Sequence, residues 1–127
     1  MRMIILAAGK GTRMKMDVAK VLVPFAGRTL IDHVVEHALG AEIDPHPIVV
    51  VGYQGDTVRR ELSAYPVTIV DQLEQLGTGH AVSVCRDAVD PAEDVLVLYG
   101  DHPLVSPATI GALADEHETS GATVTLM

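Results

Sequence analysis

The sequence predicts an α/β domain in which a mostly parallel sheet carries helices on both faces, and three observations lead there. Strand-sized apolar runs alternate with helix-length segments of 3.6-residue periodicity along the whole chain. Aromatic residues are only 3% of the chain, so the core is built from Val, Leu, Ile and Ala, as in buried parallel strands. Two of the strand-like runs end in glycine followed by charged residues, and ligands of such sheets bind at the carboxyl ends of strands. A length of 127 residues fits one domain and suffices for a core without disulfides.

In chain order, Met3–Ala8 is a continuous apolar run ending at Gly9, read as a buried strand. Thr29–Leu39 places Leu30, Ile31, Val34, Val35, Ala38 and Leu39 on one helical face. Thr29 and Asp32 form a capping-box start and Gly40 a stop. Pro47–Val51 reads as a second strand, Gly55–Ala64 as a short helix and Pro66–Val70 as a third strand. Thr78–Ala88 reads as helix and Asp94–Tyr99 as a fourth strand. Ser106 caps a helix that opens on Pro107, whose nitrogen needs no hydrogen bond there, and that runs to about Thr119. Gly121–Met127 reads as a fifth strand. Its apolar end predicts a truncated domain and an exposed strand that favours self-association as a homo-oligomer.

Charge distribution narrows the partners. The formal net charge is −8, which disfavours a nucleic-acid surface. Yet residues 1–28 hold six of the nine Lys and Arg and one acid, Asp17, whereas the rest holds three basic and sixteen acidic residues. A small anion is drawn to such an N-terminal segment; a long polyanion is repelled by the remainder. The single cysteine, Cys85, fits a reducing compartment and reads as a small buried hydrophobe in a helix. Neither a membrane-length apolar run nor a signal-peptide h-region is present, so the expected location is cytoplasmic, with no membrane partner.

Gly9 and Gly11 permit a tight turn and close approach of a ligand, and successive N–H groups in such a turn form an anion nest. Arg13 can meet a phosphate through two parallel hydrogen bonds, and Lys20 adds a mobile point charge. The pattern fails the Walker A template, and the dinucleotide fingerprint needs a third glycine where Met14 stands.

The full string L-A-A-G-K-G-T-R-M, followed by K-V-L at Lys20–Leu22, resembles the signature of nucleotidyltransferases that couple a nucleoside triphosphate to a phosphorylated small molecule. D-Q-L-E-Q-L-G-T-G-H-A-V at Asp71–Val82 resembles the nucleobase-binding segment of the bacterial N-acetylglucosamine-1-phosphate uridyltransferases. V-L-Y-G-D-H-P-L, ending at Leu104, resembles that family's strand with the metal-binding aspartate. The matches fall in the family's order and cover essentially the whole chain.

The resemblance implies a Rossmann-like nucleotide-diphospho-sugar transferase fold, with residues 1–127 its nucleotide-binding portion, single and incomplete. It implies nucleotide contacts from Leu6, Ala7, Ala8, Gly9, Gly11 and Thr12, and catalytic charge neutralisation by Arg13 and Lys20 on the phosphates. Gln72, Gly77 and Thr78 would recognise uracil, Tyr99 and Gly100 would line the site, and Asp101 would hold Mg2+. The implied partners are UTP, UDP-GlcNAc and a sugar-1-phosphate. The implied reaction is an in-line uridylyl transfer that releases pyrophosphate, in a family serving cell-wall precursor synthesis. A general base is unnecessary because the attacking phosphate is already anionic.

Departures from the family stand at Ala19, where proline usually precedes the lysine, and at His102, where small or aliphatic residues are frequent. The family's sugar-binding residues and second metal-binding side chain fall beyond Met127, as does its acetyltransferase domain. Cytidylyl- and guanylyl-transferring relatives share the glycine loop, but the L-G-T-G-H-A-V segment argues against them. A non-catalytic nucleotide-binding fragment is the reading from another class. His33 and His37 in H-V-V-E-H match an inverted zinc-protease motif, on a face read as solvated beside Asp32 and Glu36.

Overall fold

The computed structural model of the chain describes residues 1–11 and 17–127. Among the described residues six strands and four α-helices follow one another: β1 (Arg2–Ala7), β2 (Pro24–Phe25), β3 (Arg28–Thr29), α1 (Leu30–Gly40), β4 (Ile48–Val51), α2 (Gly55–Glu61), β5 (Thr68–Asp71), α3 (Thr78–Ser83), β6 (Val95–Tyr99) and α4 (Pro107–Ser120). The main sheet is parallel throughout, in the order β5-β4-β1-β6. The chain grows outward from β1 to β4 and β5, then returns to place β6 on the other side of β1. That reversal creates a crevice at the carboxyl ends of β1 and β6, where doubly wound sheets take their ligands.

Alternation along each strand sends successive side chains to opposite faces. Met3, Ile5 and Ala7 of β1 join Val49 and Val51 of β4, and Leu96 and Leu98 of β6, in the larger core cluster. Its cover comes from Ile31, Val34, Val35 and Ala38 of α1, Val58 of α2, and Ile110 and Ala114 of α4. On the other face Ile4, Ile48 and Val50 pack with Ala81 and Cys85 in a smaller cluster around α3. That face is thinner: Val95, Val97 and Tyr99 of β6 are each at least about a third exposed.

Local signals in the sequence act as expected at the helix starts. Thr29 Oγ1 accepts from Asp32 N at 3.3 Å, and Asp32 Oδ2 accepts from Thr29 N at 3.4 Å, closing the capping box. Ser106 Oγ accepts from Thr109 N at 3.2 Å, with Pro107 in the first turn. Gly40, expected as a stop, is the last residue of α1; the left-handed residue there is Glu42. The helices expected over Gly55–Ala64 and Thr78–Ala88 are each shorter, with 3-10 turns at Leu62–Ala64 and Arg86–Ala88 finishing the span. Pro24–Thr29 forms a small hairpin that hydrophobic patterning did not reveal, turning through Ala26 and Gly27 at positive φ.

The fifth strand expected over Gly121–Met127 is not formed. Gly121 ends α4 in the left-handed conformation, and the residues after it run beside β6 without a backbone ladder. A groove of about 500 Å3 lies between them, and Val124, Leu126 and Met127 are exposed. Alternating apolar residues favour a strand only when backbone pairing and a buried face both exist, and this segment has neither.

Cys85 is fully buried, as read from the sequence; its thiol donates to the Ala81 carbonyl at 3.7 Å, and burial pushes its pKa up. Native Cys85 is therefore expected to react with an aromatic disulfide reagent at least about a hundredfold more slowly than in denaturant. Equal rates in the two conditions, followed by absorbance, would show that the thiol is accessible.

Candidate functional site

Three strand ends, those of β1, β5 and β6, meet at one cleft of about 320 Å3, and the end of β4 lies between those of β1 and β5. β1 runs into Ala8 and Gly9, β4 into Gly52, β5 into Gln72, and β6 into Gly100 and Asp101. Leu6, Ala8, Gly9, Gly11, Lys20, Gln72, Gly77, Thr78, Tyr99 and Asp101 all line it. Segments distant in sequence thus converge where the resemblance places a nucleotide. Thr12 and Arg13 lie outside the described residues.

Two expected residues sit differently. Ala7 turns its side chain into the larger core cluster, away from the cleft. Gly100 lies under the cleft as part of the sheet: its N–H donates to Leu6 O at 2.9 Å, and a Cβ there would meet Leu6 O at 3.0 Å. Its smallness lets β6 stay close to β1 beyond the regular ladder.

The glycines of the loop do different work. A Cβ on Gly9 would meet no protein atom within 4 Å. Gly11 has φ +62, and a Cβ there would come within 2.9 Å of Lys20 Cβ, so the loop closes over the lysine turn only with glycine at this position. Lys20 opens a 3-10 turn to Leu22, anchored by Leu22 N donating to Ala19 O at 2.9 Å. Its ammonium pairs with Asp101 Oδ2 across the cleft, the two charges coming from opposite ends of the chain. Lys10 places its ammonium 5.3 Å from the centre of the Tyr53 ring at the rim.

Gln72 is 5% exposed, far from a solvated loop residue. Its N–H donates to Val51 O at 2.8 Å, extending the β4–β5 pairing by one residue. Its Nε2 donates to Gly77 O at 3.2 Å and lies 3.0 Å from His80 Nδ1. A carbonyl accepts only, so this contact fixes which end of the amide is nitrogen. Among the described residues no hydrogen bond to its amide oxygen occurs, and Gln72 lines the cleft. Gly77 starts α3 at φ +102, which strongly favours glycine.

The metal reading rests on Asp101. Its side chain is 19% exposed and lines the cleft, and it offers hard carboxylate oxygens. His102 places Nε2 3.7 Å from Asp101 Oδ1 and its ring centre 5.1 Å from that of Tyr99, so it shields one flank of the carboxylate. Among the described residues no group of three or more His, Cys, Asp or Glu converges on a common point. One carboxylate completed by substrate phosphates and water is a donor set that suits Mg2+. The residues present fit that ion.

The paired histidines of α1 are engaged elsewhere. His33 Nε2 donates to Phe25 O at 2.8 Å, with Arg28 Nη2 3.4 Å from Nδ1, and His37 Nδ1 donates to Val105 O at 3.0 Å. Glu36 is exposed and bound by Arg28, whose guanidinium holds its carboxyl below the usual range. Asp32, read as part of the same solvated face, is instead 8% exposed because it closes the capping box.

Sequence reasoning missed Val21, Gln75 and Ala81 in the cleft wall, and Gln54 behind it. Gln75 and Ala81 lie inside the motif from Asp71 to Val82. Gln54 follows the end of β4, and the rule that strand ends carry site chemistry would have flagged it.

Comparison with known proteins places the chain among nucleotidyltransferases. "Bifunctional protein GlmU" of Desulfotalea psychrophila is 48% identical over 125 residues, covering 98% of this chain and 37% of that protein. The protein of the same name from Thermotoga maritima is 45% identical over 127 residues, covering all of this chain and 28% of its own length. The chain therefore spans about a third or less of these relatives. Among solved structures, a nucleotidyl transferase from Methanothermobacter thermautotroptrophicus superposes with a TM-score of 0.74 at 29% identity, over 90% of this chain and 56% of that one. A UDP-glucose pyrophosphorylase complexed with UDP-glucose shares the fold, with a TM-score of 0.74 at 20% identity over 95% of this chain and 54% of that one. The family model described as "MobA-like NTP transferase domain" matches residues 3–127, and the chain belongs to that family.

Proposed function

We propose that this domain binds Mg2+ and UTP in the cleft between Gly9, Gln72 and Asp101, for uridylyl transfer to N-acetylglucosamine-1-phosphate. The products are UDP-GlcNAc and pyrophosphate. The observation that carries the base assignment is the orientation of Gln72. With Nε2 spent on Gly77 O, the amide oxygen of this cleft-lining residue is left as an acceptor, which suits the N3–H of uracil. Cytosine presents a lone pair at N3 and would meet that oxygen unfavourably. Relatives called GlmU at 45–48% identity support sugar-nucleotide transfer in general, and the Asp71–Val82 motif supports uracil.

In the reaction a phosphate oxygen of the sugar-1-phosphate forms a bond to the α-phosphorus, and the bond to the α–β bridging oxygen breaks in line. The domain's work is positioning and neutralisation. Gly9 and Gly11 let the loop backbone approach the phosphates, and Lys20 leaves Asp101 to meet the charge on them. Arg13 grips the phosphates in parallel, as its planar fork allows. Asp101 would hold the Mg2+, which when bound neutralises charge on the phosphate oxygens. Tyr99 and Leu6 provide an apolar wall that excludes water from the base.

Titration calorimetry of the 127-residue chain with Mg2+ and nucleotide tests this reading. Weak UTP binding is expected, about tenfold or more tighter than CTP, the scale of one hydrogen bond gained or left unpaired in a closed site. Addition of a chelator is expected to weaken it. Equal affinity for UTP and CTP would remove the uracil assignment, and metal-independent binding would remove the role of Asp101. No UDP-GlcNAc synthesis above background is expected from the chain alone, since the Val95, Val97 and Tyr99 side of β6 stands open.

A further inference from the structure

We infer that Gln54 is a positioning residue for the Lys20 turn, its side-chain amide clamping the backbone on both sides of Val18. Gln54 sits just past β4 in the left-handed region, at φ 54 and ψ 32, where residues other than glycine, Asn and Asp are uncommon. It stands at the start of α2, yet its side chain makes no capping bond to that helix. Instead Oε1 accepts from Ala19 N at 2.7 Å, and Nε2 donates to Asp17 O at 2.6 Å. Both partners are backbone groups 35 and 37 residues away. An N–H only donates and a carbonyl only accepts, so both ends of the amide are assigned without ambiguity.

The bond to Ala19 answers a specific need. Ala19 is fully buried, and its N–H without Gln54 would be an orphan donor. Ala19 has φ −54 and ψ 135, inside the range a proline ring imposes, and it opens the 3-10 turn of Lys20–Leu22. A proline would hold that φ covalently and have no N–H to satisfy. Here alanine occupies the position, and the Gln54 amide supplies the restraint from outside. What is restrained is the base of Lys20, already confined by Gly11 at its Cβ and paired through its ammonium with Asp101. Losing the clamp frees the backbone before Lys20 while leaving the sheet intact.

Amide hydrogen exchange on the ligand-free chain tests the clamp without any nucleotide. The Ala19 and Leu22 amides are expected to be protected, and Gln54→Ala to lower both by about tenfold or more while β1 and β4 keep their protection. Protection at Ala19 and Leu22 unchanged within twofold would overturn the inference, as would a loss shared equally by β1 and β4. In a second arm, which rests on the proposed role of Lys20 toward phosphate, Gln54→Ala is expected to weaken Mg2+–UTP binding about tenfold. The same change on an Ala19→Pro background is expected to weaken it less than twofold, because the ring replaces the restraint. Equal losses on both backgrounds would show that Gln54 acts by another route. Failure of UTP to bind at all would count against the nucleotide reading, while the exchange comparison still decides the clamp.

Discussion

Arg13→Ala, in a catalytically competent chain that carries this domain, is expected to lower turnover by about 10²–10³-fold, the usual cost of removing one preorganised donor to developing charge. Arg13 falls in sequence between Gly11 and Asp17, and each of these two residues is held by a contact within the fold. Gly11 lies against Lys20, and the Asp17 carbonyl is held by Gln54. Lys20→Met is expected to fall in the same range, with a distinguishing feature. It also removes the partner of Asp101, leaving that carboxylate unpaired in the absence of nucleotide. Steady-state kinetics separate binding from chemistry. Loss in kcat with little change in KM is the result for a group that acts in the transition state. An Arg13→Ala enzyme turning over within threefold of its parent would show that the loop binds without catalysing.

Ile5→Ala is expected to destabilise the domain by about 2–5 kcal/mol, the range for a buried isoleucine truncated where the surroundings collapse incompletely. Ile5 lies at the middle of the central strand, fully buried, with Val49 and Leu98 as its register partners on either side. Both partners sit on the face covered by α1, α2 and α4. A domain of this size has a total stability of about 5–15 kcal/mol, so the loss is a large share of it. Urea unfolding monitored by circular dichroism measures it. As a control, Leu73→Ala, at a side chain 91% exposed, is expected to change stability by less than about 0.5 kcal/mol. An Ile5 effect below about 1 kcal/mol would mean that the smaller cluster around α3, not the larger one, holds the sheet together.

Relatives and motifs agree on nucleotide chemistry, but the site itself explains why a short domain presents it. The doubly wound order leaves the carboxyl ends of β1 and β6 adjacent at the point where the chain reverses its direction of growth across the sheet, which opens a crevice there. Residues at 9, 72 and 101 then share a wall although they are far apart in the chain. The pairing of Lys20 with Asp101 keeps both charges satisfied in the half-open cleft.

The sequence by itself determined the parallel α/β class, the capped starts of α1 and α4, and the identity of most cleft residues. The class and the caps depend on local physics, in strand-length apolar runs and side-chain oxygens reaching the first helical N–H groups, whereas most cleft residues were implied by the resemblance of their motifs to a known family. The tertiary structure alone decided three things. It kept Gly121–Met127 out of the sheet, because an apolar alternation does not by itself bring a backbone into hydrogen-bonding register with the open edge of β6. It buried the Gln72 amide and tied its nitrogen to Gly77 O, five residues on, which no spacing rule foretold. It also brought Gln54 to Ala19, a contact across 35 positions that no periodicity announces. Local rules reach a few residues along the chain, whereas these three outcomes depend on which segments the finished sheet sets side by side.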